Sequence, residues 1–251
     1  MKDLFERPDF ADELVRLSRA GVERYPLDGV RLLTPVEAQE VWAAGVTYLR
    51  SKEARMVESE FSATAYDRVY DAVRPEIFFK SLPEKVVSPG EPVGIRKDGR
   101  WNVPEPELAL VMNTSGKIVG FTIGNDMSSR DIEGENMLYL PQAKIYTGSC
   151  AVGPAIVVGL TEEDVRQWSI HLEIRREGKA VFSGETRVDK IKRRFDELVG
   201  YLFRSQNFPN GAVLLTGAGI VPPDSFTLEA NDTVRITISG VGTLENPVAV
   251  V

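Results

Sequence analysis

One stretch limits the fold more than any other: Trp101 to Asp131, reading WNVPEPELALVMNTSGKIVGFTIGNDMSSRD. Leu108 to Met112 and Lys117 to Gly124 read as two strands. Asn113-Thr114-Ser115-Gly116 between them is turn chemistry, because Asn and Gly tolerate positive φ. Glu105 and Glu107 are two apart, so on a strand they share a face. A two-residue turn centred on Thr114-Ser115 sets Asp126 opposite Val103, and one centred on Ser115-Gly116 sets it opposite Glu105. Either register puts Asp126 on the glutamates' face, since cross-strand partners share a face; a three-residue turn breaks the match. Three carboxylates converging on one spot repel one another, and a hard divalent cation such as Mg²⁺ resolves that repulsion.

The remaining pattern is strand-rich. Residues 9–25 place Phe10, Leu14, Val15, Leu17 and Val22 at helical spacing, which predicts an amphipathic helix. A connector follows, so residues 1–40 read as a small helical and connector segment ahead of a main domain over 41–251. Residues 49–74 are charge-rich and mostly helical in pattern. Residues 128–144 read as a short helix or loop. Ile170, Leu172 and Ile174 alternate in a strand, followed by a turn over 175–178 and a second strand. Ile191, Phe195, Leu198, Val199 and Leu202 predict a helix over 189–205. Residues 209–217 run into a buried strand, and a final strand pair closes the chain. Strand dominance without a βαβ repeat predicts a β-dominated α+β fold.

Charge and composition exclude several functions. A net charge of −7 and a pI near 5.0 lack the basic face that nucleic acid requires. No apolar run reaches the ~18 residues of a membrane helix, and the charged N-terminus has no apolar core of a signal peptide. A single cysteine, Cys150, suits a reducing cytoplasm. With one cysteine and one histidine, a Cys/His zinc site has no ligands, and any metal is held by oxygen. His171 alternates with Ile170 and Leu172 and reads as a surface residue. Cys150, beside Ala151 and Val152, reads as a small buried apolar residue.

Several segments carry a joint resemblance. They are Gly45-Val46-Thr47-Tyr48, Glu105-Pro106-Glu107, the run from Gly124 to Asp131, Ala143-Lys144, Gly153-Pro154, Leu215-Thr216-Gly217 and the run from Val241 to Pro247. With Tyr70 to Lys80 and Tyr139 to Tyr146 added, the chain resembles the fumarylacetoacetate hydrolase superfamily, and within it the 2-keto-3-deoxy-arabinonate dehydratases. The resemblance implies a mixed β-sandwich-like roll and usually a homodimer. It also implies Mg²⁺ (with Mn²⁺ or Ca²⁺ as substitutes) on Glu105, Glu107 and Asp126. The implied activity is a lyase that dehydrates a 2-keto-3-deoxy sugar acid, such as 2-keto-3-deoxy-arabinonate to 2,5-dioxopentanoate, through a metal-stabilised enolate.

Two departures bear on the chemistry. Hydrolases of the superfamily carry a catalytic histidine where this chain reads Tyr48-Leu49-Arg50-Ser51, so a His-Glu dyad is not expected. The resemblance also leads one to expect Thr-Gly-Thr where the chain has Thr216-Gly217-Ala218.

Each residue has an ordinary alternative. The glutamates also suit a solvated strand face, with Asp126 capping a turn. Lys144, within the matching motif, is expected to hold the substrate carboxylate or enolate oxygen rather than face solvent. Glu76, beside Ile77, Phe78 and Phe79, is expected to be a desolvated general base or acid; the alternative is an i, i+4 pair with Lys80. Tyr48, Arg50, Ser51, Lys80, Arg130 and Thr216 are expected to touch the substrate, a small 2-oxo acid. Hydrolysis of an acylpyruvate or decarboxylation of a 2-oxo acid on the same metal, and a non-catalytic binding protein, remain as alternatives.

Overall fold

A computed structural model describes residues 2–21, 23–49 and 68–251. In chain order the strands are β1 (Glu40–Gly45), β2 (Glu76–Ser81), β3 (Val93–Ile95), β4 (Asn102–Val103), β5 (Pro106–Met112), β6 (Ile118–Asp126), β7 (Ser128–Ser129), β8 (Cys150–Val157), β9 (Ser169–Arg176), β10 (Lys179–Arg187), β11 (Ala212–Leu215), β12 (Thr233–Ile238) and β13 (Gly242–Val250). They form a six-stranded sheet ordered β2-β1-β11-β5-β6-β8, a five-stranded sheet ordered β10-β9-β12-β13-β3, and a small β4-β7 pair. Neighbours are antiparallel except β1 with β11 and β13 with β3. The expected β-dominated α+β roll is what forms.

Alternation along the strands builds two cores. Leu108, Leu110, Phe121 and Ile123 of the six-stranded sheet meet Ile170, Leu172, Val234 and Ile236 of the five-stranded one. The helix Phe195–Leu202 adds Phe195, Leu198, Val199 and Leu202 to the same cluster. On the outer face, Val41, Ala43, Ala109, Val111 and Val213 lie under Phe5, Phe10 and Val36. Each buried phenylalanine there contributes about 1.5–3 kcal/mol by leaving water.

The two amphipathic helices are shorter than their sequence patterns. The first spans Phe10–Arg19 and ends where Ala20 turns extended, at φ −63° and ψ 150°. The second begins only at Phe195, because the Lys192 backbone N–H donates to the Thr47 carbonyl at 3.0 Å and holds that stretch out of the helix. Ile191 is buried all the same. Strand β8 starts at Cys150, ahead of Gly153-Pro154.

The β5–β6 hairpin departs from both simple turns. The Asn113 N–H donates to the Lys117 carbonyl at 3.0 Å, which closes a three-residue loop with Gly116 at φ 79°. Alone, that loop sends Asp126 to the wrong face. Met112 pairs with Ile118, however, and Val111 with Gly120, so Val119 is an extra residue in a β-bulge. The bulge restores parity: Glu107 pairs with Gly124, and the Asp126 N–H donates to the Glu105 carbonyl at 3.0 Å.

Candidate active site

The site lies at one edge of the six-stranded sheet, where β1, β6 and β11 end and β2, β5 and β8 begin. The topology brings Gly45, Glu76, Glu105, Asp126 and Gly217 to that edge although they are far apart in sequence. They line a cavity together with Phe78, Glu107, Arg130, Glu133, Lys144, Ala218 and Val221.

Glu105, Glu107 and Asp126 are buried, and each offers a carboxylate oxygen within 4.8 Å of the others. Burial, then the neighbouring charges of Asp126 and Glu105, push the Glu107 carboxyl well above the usual carboxylate range. Its Oε2 accepts from the Gly217 backbone N–H. Lys144 Nζ lies 2.7 Å from Glu105 Oε2 and 3.2 Å from Asp126 Oδ2. Arg130 approaches Glu105 Oε1 at 3.4 Å.

The donor set fits a hard divalent cation. Among the described residues, five carboxylates line the cavity (Glu76, Glu105, Glu107, Asp126, Glu133), against Arg130 and Lys144 on the wall and Lys80 behind Asp126. The excess of two negative charges equals the charge of one such ion, and three clustered oxygens with room for further ligands suit Mg²⁺.

Glu76 opens β2 opposite Gly45. A Cβ on Gly45 would come within 1.9 Å of Glu76 Oε2, so the glycine makes room for the carboxylate. Lys144 and Arg130 lie on the cavity wall as expected for substrate contacts. Tyr48 is buried beneath Gly219, its hydroxyl pushed above the ordinary tyrosine range first by burial and then by Glu107. Arg50 and Ser51 lie outside the described residues.

Lys80 and Thr216, like Tyr48, do not line this cavity. Lys80 is fully buried behind Asp126; its Nζ is 2.5 Å from Asp126 Oδ1 and donates to the carbonyls of Met127 at 3.0 Å and Lys144 at 2.5 Å. It falls in a β1–β2 register shift, between the pairs Val41–Ser81 and Trp42–Phe79, which turns it toward that layer. The Thr216 hydroxyl donates to the Leu108 carbonyl at 2.8 Å, and its own carbonyl accepts from Thr47 Oγ1 at 2.6 Å. Thr216 thus joins β11 to its neighbours, and Gly217 and Ala218 face the cavity in its place. His171, on β9 in the other sheet, lies 3.0 Å from Ser183 Oγ through its Nε2.

Glu133 has no counterpart among the sequence-derived site residues. It belongs to the helix Arg130–Glu135, one turn after Arg130. The signal was the i, i+3 spacing of two charged residues, which share a face once that segment is helical.

A family described as fumarylacetoacetate (FAA) hydrolase C-terminal matches residues 40–249. The chain is 48% identical over 217 residues to a probable 2-keto-3-deoxyxylonate dehydratase of Haloferax volcanii, covering 86% of this chain and 74% of that protein. It is 43% identical over 230 residues to the 2-dehydro-3-deoxy-D-arabinonate dehydratase of Saccharolobus solfataricus, covering 90% and 77%. Among solved structures, 2-keto-3-deoxy-D-arabinonate dehydratase complexed with magnesium and 2,5-dioxopentanoate superposes with a TM-score of 0.81 at 39% identity, covering 96% of this chain and 88% of that one. No helix among the described residues is long and apolar enough to cross a membrane.

Proposed function

Because the chain belongs to the fumarylacetoacetate (FAA) hydrolase family, we propose that it is a Mg²⁺-dependent dehydratase of a 2-keto-3-deoxy sugar acid, such as 2-keto-3-deoxy-arabinonate, giving 2,5-dioxopentanoate. The observation that carries this reading is the cluster of Glu105, Glu107 and Asp126 in one cavity with Lys144 and Glu76. These three acids would hold Mg²⁺, with Mn²⁺ or Ca²⁺ as substitutes. When bound, the ion supplies a Lewis acid for the carboxylate and keto oxygens of a 2-oxo acid, which makes the C3 protons more acidic.

The chain's own groups do the rest. Lys144 and Arg130 place positive charge beside the trio and receive the substrate's carboxylate and keto oxygen. Glu76, half-buried at the cavity wall, takes the C3 proton. Phe78, Ala218 and Val221 keep water from the carbon chain. The only histidine, His171, is in the other sheet, so no imidazole is at hand to activate water for carbon–carbon hydrolysis.

By the same reading, residues 41–251 are the catalytic domain and 1–40 an accessory segment. The enzyme is cytoplasmic, in keeping with its lone buried thiol, and it works as a homodimer. The test is turnover of 2-keto-3-deoxy-pentonates with Mg²⁺, followed by release of the dioxo acid. Turnover in metal-free buffer, or cleavage of acylpyruvates in place of dehydration, would overturn the reading.

A further inference from the structure

Dehydration needs two proton transfers, one from C3 and one to the departing C4 hydroxyl. The reading above gives the first to Glu76 and leaves the second without an owner. Lys144 is a poor donor for it, because its ammonium is held by Glu105 at 2.7 Å and Asp126 at 3.2 Å, at the end where the substrate's carboxylate and keto oxygens bind. Glu133 is the remaining acid of the cavity wall. It is 3% exposed, and it is not one of the three clustered acids.

Resting on the dehydratase reading, we propose that Glu133 binds the substrate's C4 hydroxyl and protonates it as it leaves. Two features of its setting fit the role. The Ser128 hydroxyl donates to Glu133 Oε2 at 2.9 Å, which holds the carboxyl in the cavity wall. The cavity's charges also favour a neutral acid when substrate is present. Five carboxylates are offset by Arg130, Lys144, Lys80 and a divalent ion. The substrate's carboxylate adds one more negative charge, which a single proton retained among the wall's carboxyls cancels.

The step balances. The C3–H bond breaks and its proton goes to Glu76, and a C3=C4 double bond forms from that electron pair. The C4–O bond breaks, and the leaving oxygen takes the Glu133 proton to depart as water. The 5-hydroxy-3-ene so formed then loses a proton from C5 and gains one at C3 through its dienol, which gives 2,5-dioxopentanoate. Solvent removes the proton from Glu76 and returns one to Glu133 before the next turnover.

The experiment compares leaving groups. Fluoride departs as an anion and needs no proton, so a 4-deoxy-4-fluoro analogue of the 2-keto-3-deoxy acid bypasses the acid but still requires the base. Glu133→Gln should lower kcat on the natural substrate by about 10²–10⁴-fold, the usual contribution of a general acid, and on the fluoro analogue by less than about tenfold. Glu76→Gln should be impaired on both. Mn²⁺ titration by calorimetry, expected within about threefold of wild type for Glu133→Gln, shows that the variant is folded with its metal site intact. Equal losses on both leaving groups, unchanged kcat on the natural substrate, or lost Mn²⁺ binding would each overturn the assignment. Wild-type protein that dehydrates neither compound would instead overturn the dehydratase reading itself.

Discussion

Glu107 and Asp126 stand on β5 and β6, two neighbouring strands inside a six-stranded sheet, and Glu105 immediately precedes β5. Glu76, Glu133 and Ala218 reach the same cavity from the outer strand β2, a six-residue helix and the stretch after β11. Ladder hydrogen bonds fix the face on which the first group stands, because a strand cannot shift by one residue without turning its side chains over. The second group is set by caps, turns and local pairing, which sequence change alters more readily. On the proposed function, metal binding would fall to the sheet and substrate choice to its surroundings.

The comparison can be broken most sharply at Glu107. Glu107→Gln should abolish calorimetric Mn²⁺ binding and cost about 4 kcal/mol of transition-state stabilisation, roughly a thousandfold in kcat/KM. Retained metal binding would remove Glu107 from the ligand set. Lys80→Met probes the same layer from behind. Taking one partner from a buried ion pair leaves an uncompensated charge, worth about 3–5 kcal/mol of folding stability, and urea denaturation reads the loss directly. A change below about 1 kcal/mol would mean that Asp126 does not depend on Lys80.

On the other side, Glu76→Gln should lower kcat by about 10²-fold or more while Mn²⁺ affinity stays within about threefold. A parallel loss of metal would merge the two groups. The smallest expected effect is at Ala218. Ala218→Val narrows the cavity and should raise KM by roughly tenfold for a methylene-sized intrusion, with Mn²⁺ binding unchanged. An unaltered KM would move the substrate away from that wall.

What the sequence disclosed follows the same division. Alternation and the Glu-Pro-Glu spacing put Glu105 and Glu107 on one face, because strand periodicity is a local property, while the place of Asp126 depended on the hairpin's register. Glu133 stayed hidden because its segment read as helix or loop, and only helical geometry turns it and Arg130 the same way. Lys80 lies behind Asp126 and off the cavity wall at a β1–β2 register shift, and the spacing of β2 alone does not show such a shift. The Thr216 hydroxyl closes onto the Leu108 carbonyl of β5, a partner 108 positions away that sequence spacing does not reveal. The hairpin shows the limit most plainly. Its three-residue loop was named as the case that breaks the site, yet Val119 repairs the register in a way no residue pattern announces.

That bulge has a consequence for how the site can be inherited. Val119 and Gly120 together face Val111, so deleting Val119 alone closes the ladder into a regular one and still leaves Asp126 across from Glu105. A residue lost between Gly120 and Asp126 keeps the aspartate in place only by using up that same spare residue, which turns over the side chains between the bulge and the deletion. The tip of the hairpin is therefore free to drift in length among descendants of this chain, while the few positions nearest the acids are held in step.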